Sequence, residues 1–144
     1  MRIDKINYYL DIAEAVLQRS TCIRRKFGAV LVKDDMIVST GYNGSIRGAV
    51  NCCDLGTCKR NDLNLGSGIG YEYCVAVHAE QNAIINVASE IAKGSSLYLV
   101  GINVCDKLYF PTGPCSICMK LIQLKKIKLI YVRESKMSYH IINV

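Results

Sequence analysis

The chain lacks long stretches of biased composition, internal repeats and linker-like runs, and its 144 residues are 51% hydrophobic. One compact domain, residues 1–144, with a core of its own is expected. No run approaches the ~18 apolar residues that a membrane-spanning helix needs. The amino terminus lacks the uncharged apolar stretch of a secretory signal, because Asp4, Asp11 and Glu14 interrupt it. These absences point to a soluble protein of the cytoplasm. The chain has only two histidines and two prolines, so a motif that uses both stands out from chance.

Cysteine is abundant by contrast, at eight residues. In a reducing compartment metal ligation or catalysis explains them better than disulfides do. The net charge of +6, from 18 basic and 12 acidic residues, favours anionic partners. Lys and Arg are scattered except at Arg24-Arg25-Lys26 and Lys125-Lys126-Lys128. Nucleotide phosphate and nucleic acid both fit this balance, and a solvated face is the plainer reading of either cluster.

Ile6, Leu10, Ala13 and Val16 or Leu17 recur at helical spacing, which predicts an amphipathic helix over Asp4 to Gln18. Phe27 to Val32 and Met36 to Tyr42 are short apolar, β-branched runs joined by Lys33-Asp34-Asp35, a predicted β-hairpin. The glycine-dotted, cysteine-rich stretch from Gly41 to Cys74 is too long for an idle connection. A second helix is predicted over Val77 to Ile91, with Gly94 just beyond it. Ser96 to Gly101 reads as a buried strand, and Asn103 to Phe110 as another strand or a hairpin arm. Pro114 begins a third helix running to about Lys125, and Ile127 to Val132 and Ile141 to Val144 are the last strand candidates. The order α-ββ-α-β-α-β implies an α/β layered domain with one sheet between helices.

Two segments carry the chemistry: His78-Ala79-Glu80 at the start of the second helix, and Pro114-Cys115-Ser116-Ile117-Cys118 at the start of the third. A lone C-x-x-C is weak evidence, since eight cysteines give about 0.4 such pairs by chance. Requiring a His-x-Glu and a Pro before the first Cys lowers the joint expectation to roughly four in ten thousand. Cys115 and Cys118 lie on one face of a helix start, where free N–H groups and the helix dipole favour thiolates. His78 supplies a neutral imidazole, and a tetrahedral zinc then keeps one position open for water of lowered pKa. Glu80, two residues after the ligand, cannot share its direction and is read as the proton carrier. The pattern H-x-E…P-C-x-x-C is the signature of zinc nucleobase deaminases. The bland alternative is a structural zinc with Glu80 as a surface residue, but a closed site would need a fourth protein ligand.

The likeness extends from about Thr21 to Val132. Phe27-Gly28-Ala29-Val30, Thr40-Gly41-Tyr42-Asn43-Gly44, His78-Ala79-Glu80-Gln81-Asn82-Ala83-Ile84 and Pro114-Cys115-Ser116-Ile117-Cys118 resemble the deoxycytidylate branch of the cytidine deaminase superfamily. That resemblance implies a three-layer α/β/α fold with a five-stranded mixed sheet, and conversion of dCMP and water to dUMP, for thymidylate synthesis, and ammonia. It implies Zn²⁺ on His78, Cys115 and Cys118, proton transfer by Glu80, and substrate contact at Asn43 and Ala79. It further implies a homo-oligomer and, in regulated members, a dCTP or dTTP effector accompanied by Mg²⁺. By residue chemistry alone, Asn43-Gly44 is equally a turn signal.

The chain departs from the family pattern in three places. Ile46 stands where relatives usually carry Pro, in a segment that helps bind the effector in regulated members. About a dozen residues separate Gly101 from Pro114 where many relatives run almost directly from strand to motif, and the helix after Cys118 lacks the usual Gly near its end. Cys22, Cys52, Cys58 and Cys74 fall where related deaminases place cysteines, and some relatives hold a second, structural zinc in this region. Physically, four thiolates could tether the Gly41 to Cys74 segment, and buried inert thiols fit as well; Cys53 could replace Cys52. Arg24, Arg25, Lys26 and Arg47 are the candidate phosphate ligands on the Asn43 side of the chain.

Three other functions are weighed. A broader cytosine nucleotide deaminase would take dCTP as well as dCMP. An RNA- or DNA-editing deaminase would use the same zinc set but needs a basic, aromatic groove for flanking nucleotides; nine tyrosines and the Arg24-Arg25-Lys26 cluster speak for it. A non-enzymatic zinc-binding module would have a saturated metal site and no turnover. A small-molecule nucleotide substrate, without nucleic acid or membrane partners, is the preferred reading.

Overall fold

A computed structural model describes residues 1–144. Helix α1 (Lys5–Leu17) precedes β1 (Arg25–Lys33) and β2 (Met36–Tyr42). The long middle segment holds β3 (Gly44–Ser45), α2 (Cys52–Leu55), α3 (Lys59–Asp62), a 3₁₀ turn (Tyr71–Tyr73) and β4 (Ala76–Val77). Then come α4 (Ala79–Ile85), α5 (Ser89–Ala92), β5 (Ser96–Asn103), α6 (Ser116–Leu124), β6 (Leu129–Arg133) and β7 (Tyr139–Asn143). Five strands form one mixed sheet in the order β2-β1-β5-β6-β7, in which β5 and β6 are parallel and the other pairs antiparallel. None of the helices is long and apolar enough to cross a membrane.

Strand alternation sorts the core into two layers. Ala29, Leu31, Leu97, Leu99, Ile130 and Val132 face α4 and α6, while Val30, Val32, Tyr98 and Val100 face Tyr9, Leu10, Ala13 and Leu17 of α1. Helices thus cover both faces, which is the expected α/β/α sandwich. Two glycines permit the close contact. A Cβ on Gly28 would stand 2.0 Å from the Ala13 carbonyl oxygen of α1, and one on Gly41 would stand 2.4 Å from the Ala79 carbonyl oxygen of α4. Asp4 caps α1 by accepting from the Asn7 N–H at 2.9 Å.

Three expectations change. The second helix is not continuous to Ile91: α4 ends at Ile85, and α5 is a separate short turn of helix. The Asn86 side chain donates to the Asn82 carbonyl oxygen at 2.9 Å, offering the backbone a local partner in place of the next helical bond. Asn103 closes β5, and residues 104–110 turn back on it as a hairpin arm and not a full strand; Ile102 and Tyr109 make a single antiparallel bridge, and Lys107 turns the chain at φ 61. The third helix begins at Ser116 with Cys115 as its N-cap, so Pro114 lies outside it.

One buried charge ties the layers together. Arg133, with no exposed surface, reaches Glu14 at 2.9 Å and Asp11 at 2.8 Å on α1, and Tyr109 donates its hydroxyl to Glu14 at 2.6 Å. Removing one member of a buried ion pair strands the other charges, a cost of about 3 kcal/mol. Arg133→Met should therefore lower unfolding free energy by about 3 kcal/mol in urea titration. A change within experimental scatter would mean that Lys136, 3.4 Å from Glu14, replaces the guanidinium fully.

Candidate active site

The two segments singled out in the sequence meet at one end of the sheet. His78 is the N-cap of α4, and its backbone N–H donates to the Gln81 side-chain oxygen at 2.8 Å, which fixes the helix start. Cys115 is the N-cap of α6, with its sulfur accepting from the Cys118 N–H at 3.5 Å. The His78 Nδ1 lies 3.5 Å from the Cys115 sulfur and 3.3 Å from the Cys118 sulfur. The ligand atoms of all three lie within 4.8 Å of one another, and no other group of three or more such side chains converges so closely. One imidazole and two sulfurs, open on one side to a cavity, fit a tetrahedral zinc that keeps a position free.

Electrostatics within the trio favour a cation. A hydrogen bond from the Cys118 thiol draws Cys115 down to about 3, aided by His78 and opposed by burial. Cys118 is pushed up, first by that same bond and then by burial. A divalent metal held by His78, Cys115 and Cys118 would take both sulfurs as thiolates. His78 is raised by its bond to Cys115 against the effect of burial. Glu80 is 4% exposed, and burial pushes its carboxyl above the ordinary range. Its position on α4 aims it into the same cavity as His78.

That cavity, of about 310 Å³, reaches from the trio to Arg24, Arg25 and Arg60. Asn43 and Ala79 both line it. Asn43 also works in the fold: its side-chain oxygen accepts from Ser20 at 2.5 Å and from the Phe27 N–H at 2.8 Å, and its amide donates to the Arg25 carbonyl oxygen at 2.9 Å. One amide hydrogen is left over. Lys26 and Arg47 do not line the cavity.

The remaining cysteines are free thiols. Cys22, Cys58 and Cys74 line the cavity, and each raises the Cys52 thiol pKa, after the larger effect of burial. The four do not close to within the 4.8 Å of the His78 trio. Cys53 is exposed, with Asp54 as its neighbour at 3.9 Å, so Cys52 is the one that faces the others. Sequence reasoning missed Arg60, Tyr71 and Phe110. The Tyr71 ring meets the His78 ring edge-on at 5.1 Å and carries the Arg60 guanidinium at 4.7 Å; Phe110 meets Phe27 at 6.1 Å. The only available signal was the length of the loops that hold them.

A family model for the cytidine and deoxycytidylate deaminase zinc-binding region matches residues 3–134. The chain belongs to this deaminase family. It is 39% identical over 140 residues to the deoxycytidylate deaminase of Mycobacterium phage D29, covering 93% of this chain and 98% of that one. The deoxycytidylate deaminase of Schizosaccharomyces pombe is 34% identical over 135 residues, which is 93% of this chain but only 38% of that longer protein. The solved structure of dCMP deaminase from cyanophage S-TIM5 in complex with dCMP and dUMP superposes with a TM-score of 0.63 at 29% identity, covering 89% of this chain and 79% of that one. Family and donor set agree on zinc as the cofactor. His78→Ala and Cys115→Ala should each lower bound zinc by one ion per chain, and Glu80→Ala should not, as read by elemental analysis. Equal zinc content in all three would remove the trio as the metal site.

Proposed function

We propose that the chain is a zinc-dependent hydrolase converting dCMP and water to dUMP and ammonia. The observation that carries this reading is the convergence of His78, Cys115 and Cys118 beside a buried Glu80 at the end of a nucleotide-sized cavity. The D29 relative, a deoxycytidylate deaminase matched over nearly its whole length, supports dCMP as the substrate. His78, Cys115 and Cys118 would hold the zinc, which when bound would lower the pKa of a water toward ~7. Glu80 takes a proton from the attacking water, delivers it to the ring nitrogen beside the amine-bearing carbon, and then helps to protonate the departing amine. The base lies against Ala79, whose place in the first turn of α4 leaves its N–H without an intrahelical acceptor. The spare amide hydrogen of Asn43 serves a sugar hydroxyl.

Glu80→Ala should retain folding and zinc while turnover of dCMP falls by about 10²–10⁴-fold, the usual share of a positioned proton carrier. The assay follows release of ammonia and dUMP from the zinc-loaded chain. Activity within tenfold of the unaltered protein would overturn the role.

A second, structural zinc on Cys22, Cys52, Cys58 and Cys74 extends this reading, supported by the nearness of Cys22, Cys58 and Cys74 to Cys52, whose thiol they raise after burial. The chain should then bind two zinc ions, and Cys58→Ser or Cys74→Ser should bind one and unfold earlier. One ion per chain, unchanged by those substitutions, would reject it. The eight free thiols suit the reducing cytoplasm. A homo-oligomer, and an effector nucleotide with Mg²⁺, rest on the family resemblance; exposed Ile46, Val50 and Leu55 offer apolar surface beyond β3 for a neighbouring subunit.

A further inference from the structure

Tyr109 and Phe110 lie in the turn that follows β5, and they serve opposite faces of the sheet. Phe110 lines the cavity, with the Arg25 guanidinium 3.9 Å from its ring centre and the Phe27 ring meeting it edge-on at 6.1 Å. Tyr109 packs instead with the apolar layer under α1 and donates its hydroxyl to Glu14 at 2.6 Å. We propose that Tyr109 is a positioning residue: its bond to Glu14, made behind the sheet, sets where Phe110 stands in the cavity wall and so how tightly the cavity holds its substrate. What that substrate is rests on the functional reading above; the placement of the wall rests on the contacts of the turn itself.

The turn is stiff within itself. The Asn103 N–H donates to the Leu108 carbonyl oxygen and the Lys107 N–H to the Asn103 carbonyl oxygen, both at 2.9 Å. The Asp106 carboxylate accepts from the Leu108 N–H, also at 2.9 Å. The arm therefore moves as a unit about its attachment to β5. There the Phe110 N–H donates to the Gly101 carbonyl oxygen at 2.8 Å, beside the single bridge between Ile102 and Tyr109. Gly101 permits so close an approach: a Cβ there would stand 2.4 Å from the Phe27 ring and 3.0 Å from the Phe110 carbonyl oxygen. This attachment fixes the height of the arm on the strand, and the side chains on its two faces fix its tilt.

Of those two faces, the one behind the sheet holds harder. The Tyr109 hydroxyl makes the one hydrogen bond between the turn and α1, and its length is that of a charge-assisted bond to a carboxylate. Its acceptor does not yield, because Glu14 is held at 2.9 Å by Arg133, which is fully buried on β6. Burial and then the Glu14 bond push the Tyr109 phenol up to about 12, so it stays a donor around neutral pH. On the cavity side Phe110 has a ring edge and a stacked guanidinium, each individually weaker than a charge-assisted hydrogen bond. The wall follows the stronger tie.

Steady-state kinetics of the zinc-loaded chain with dCMP test this. Tyr109→Phe keeps the ring and leaves Glu14 to Arg133; KM should rise about fivefold and kcat stay within about twofold, the pattern of binding lost equally from ground and transition states. Phe110→Leu should raise KM as well. Adding Tyr109→Phe to it should then change KM by no more than about twofold, because a residue that acts through Phe110 has nothing left to position. Lys136→Gln removes another cation 3.4 Å from Glu14 without touching the turn and should leave KM as it was. An unchanged KM in Tyr109→Phe, effects of the two aromatic substitutions that multiply, or an equal rise in Lys136→Gln overturns the proposal. Hydrogen exchange decides it without turnover: in Tyr109→Phe the Phe110 amide should exchange about tenfold faster while Val30 and Leu99 in the core keep their rates, and equal protection overturns the positioning role. Unaltered protein that turns over no dCMP would sink the deaminase reading instead, and the exchange result would then decide the positioning alone.

Discussion

Everything at the site depends on how closely α4 lies on β2. Gly41 leaves no side chain between them, and the contact is locked by two bonds: Ser39 donates to the Ala83 carbonyl oxygen at 2.6 Å, and Asn82 donates to the Tyr42 carbonyl oxygen at 2.8 Å. A Cβ at position 41 would meet backbone on the helix, which cannot move aside as a flexible side chain can. The first turn of α4 is thereby fixed against the sheet, and with it the direction of His78 and the depth of Glu80. The second ligand pair is set by the parallel pairing of β5 and β6, because α6 is the crossover between them. Two helix starts from distant parts of the chain are thus delivered to one end of one sheet.

The cavity divides its work by charge. A buried carboxylate and a metal-suited sulfur share its wall with three guanidinium groups that have no carboxylate within ion-pair distance. Aromatic rings support these groups, with Tyr71 beside His78 and Phe110 beneath Arg25.

The converging His78, Cys115 and Cys118 were legible in the sequence because their placement is local. Cys115 and Cys118 are three apart at a helix start, and His78 opens a helix whose apolar spacing is plain; strand alternation likewise gave the sheet faces. The break after Ile85 was hidden, since apolar residues continue in helical register to Ile91 and only the Asn86 side chain competes with the helix. Arg60, Tyr71 and Phe110 were invisible for a different reason. Each sits in an irregular segment, and what it faces is decided by the path of that segment over the folded core, not by its neighbours in sequence. Asn43 was legible as a special residue, but its bonds to Ser20, Phe27 and Arg25 span separations that no local pattern encodes.

Tyr109 and Phe110 are adjacent in the chain yet look in opposite directions. Tyr109 joins the carboxylate of Glu14 on the α1 side, and Phe110 lies under Arg25 in the cavity wall. A single peptide unit therefore straddles the rim of the sheet like a rivet, with one head in each layer. The two layers are thus pinned together at this rim by adjacent side chains, apart from the apolar interior.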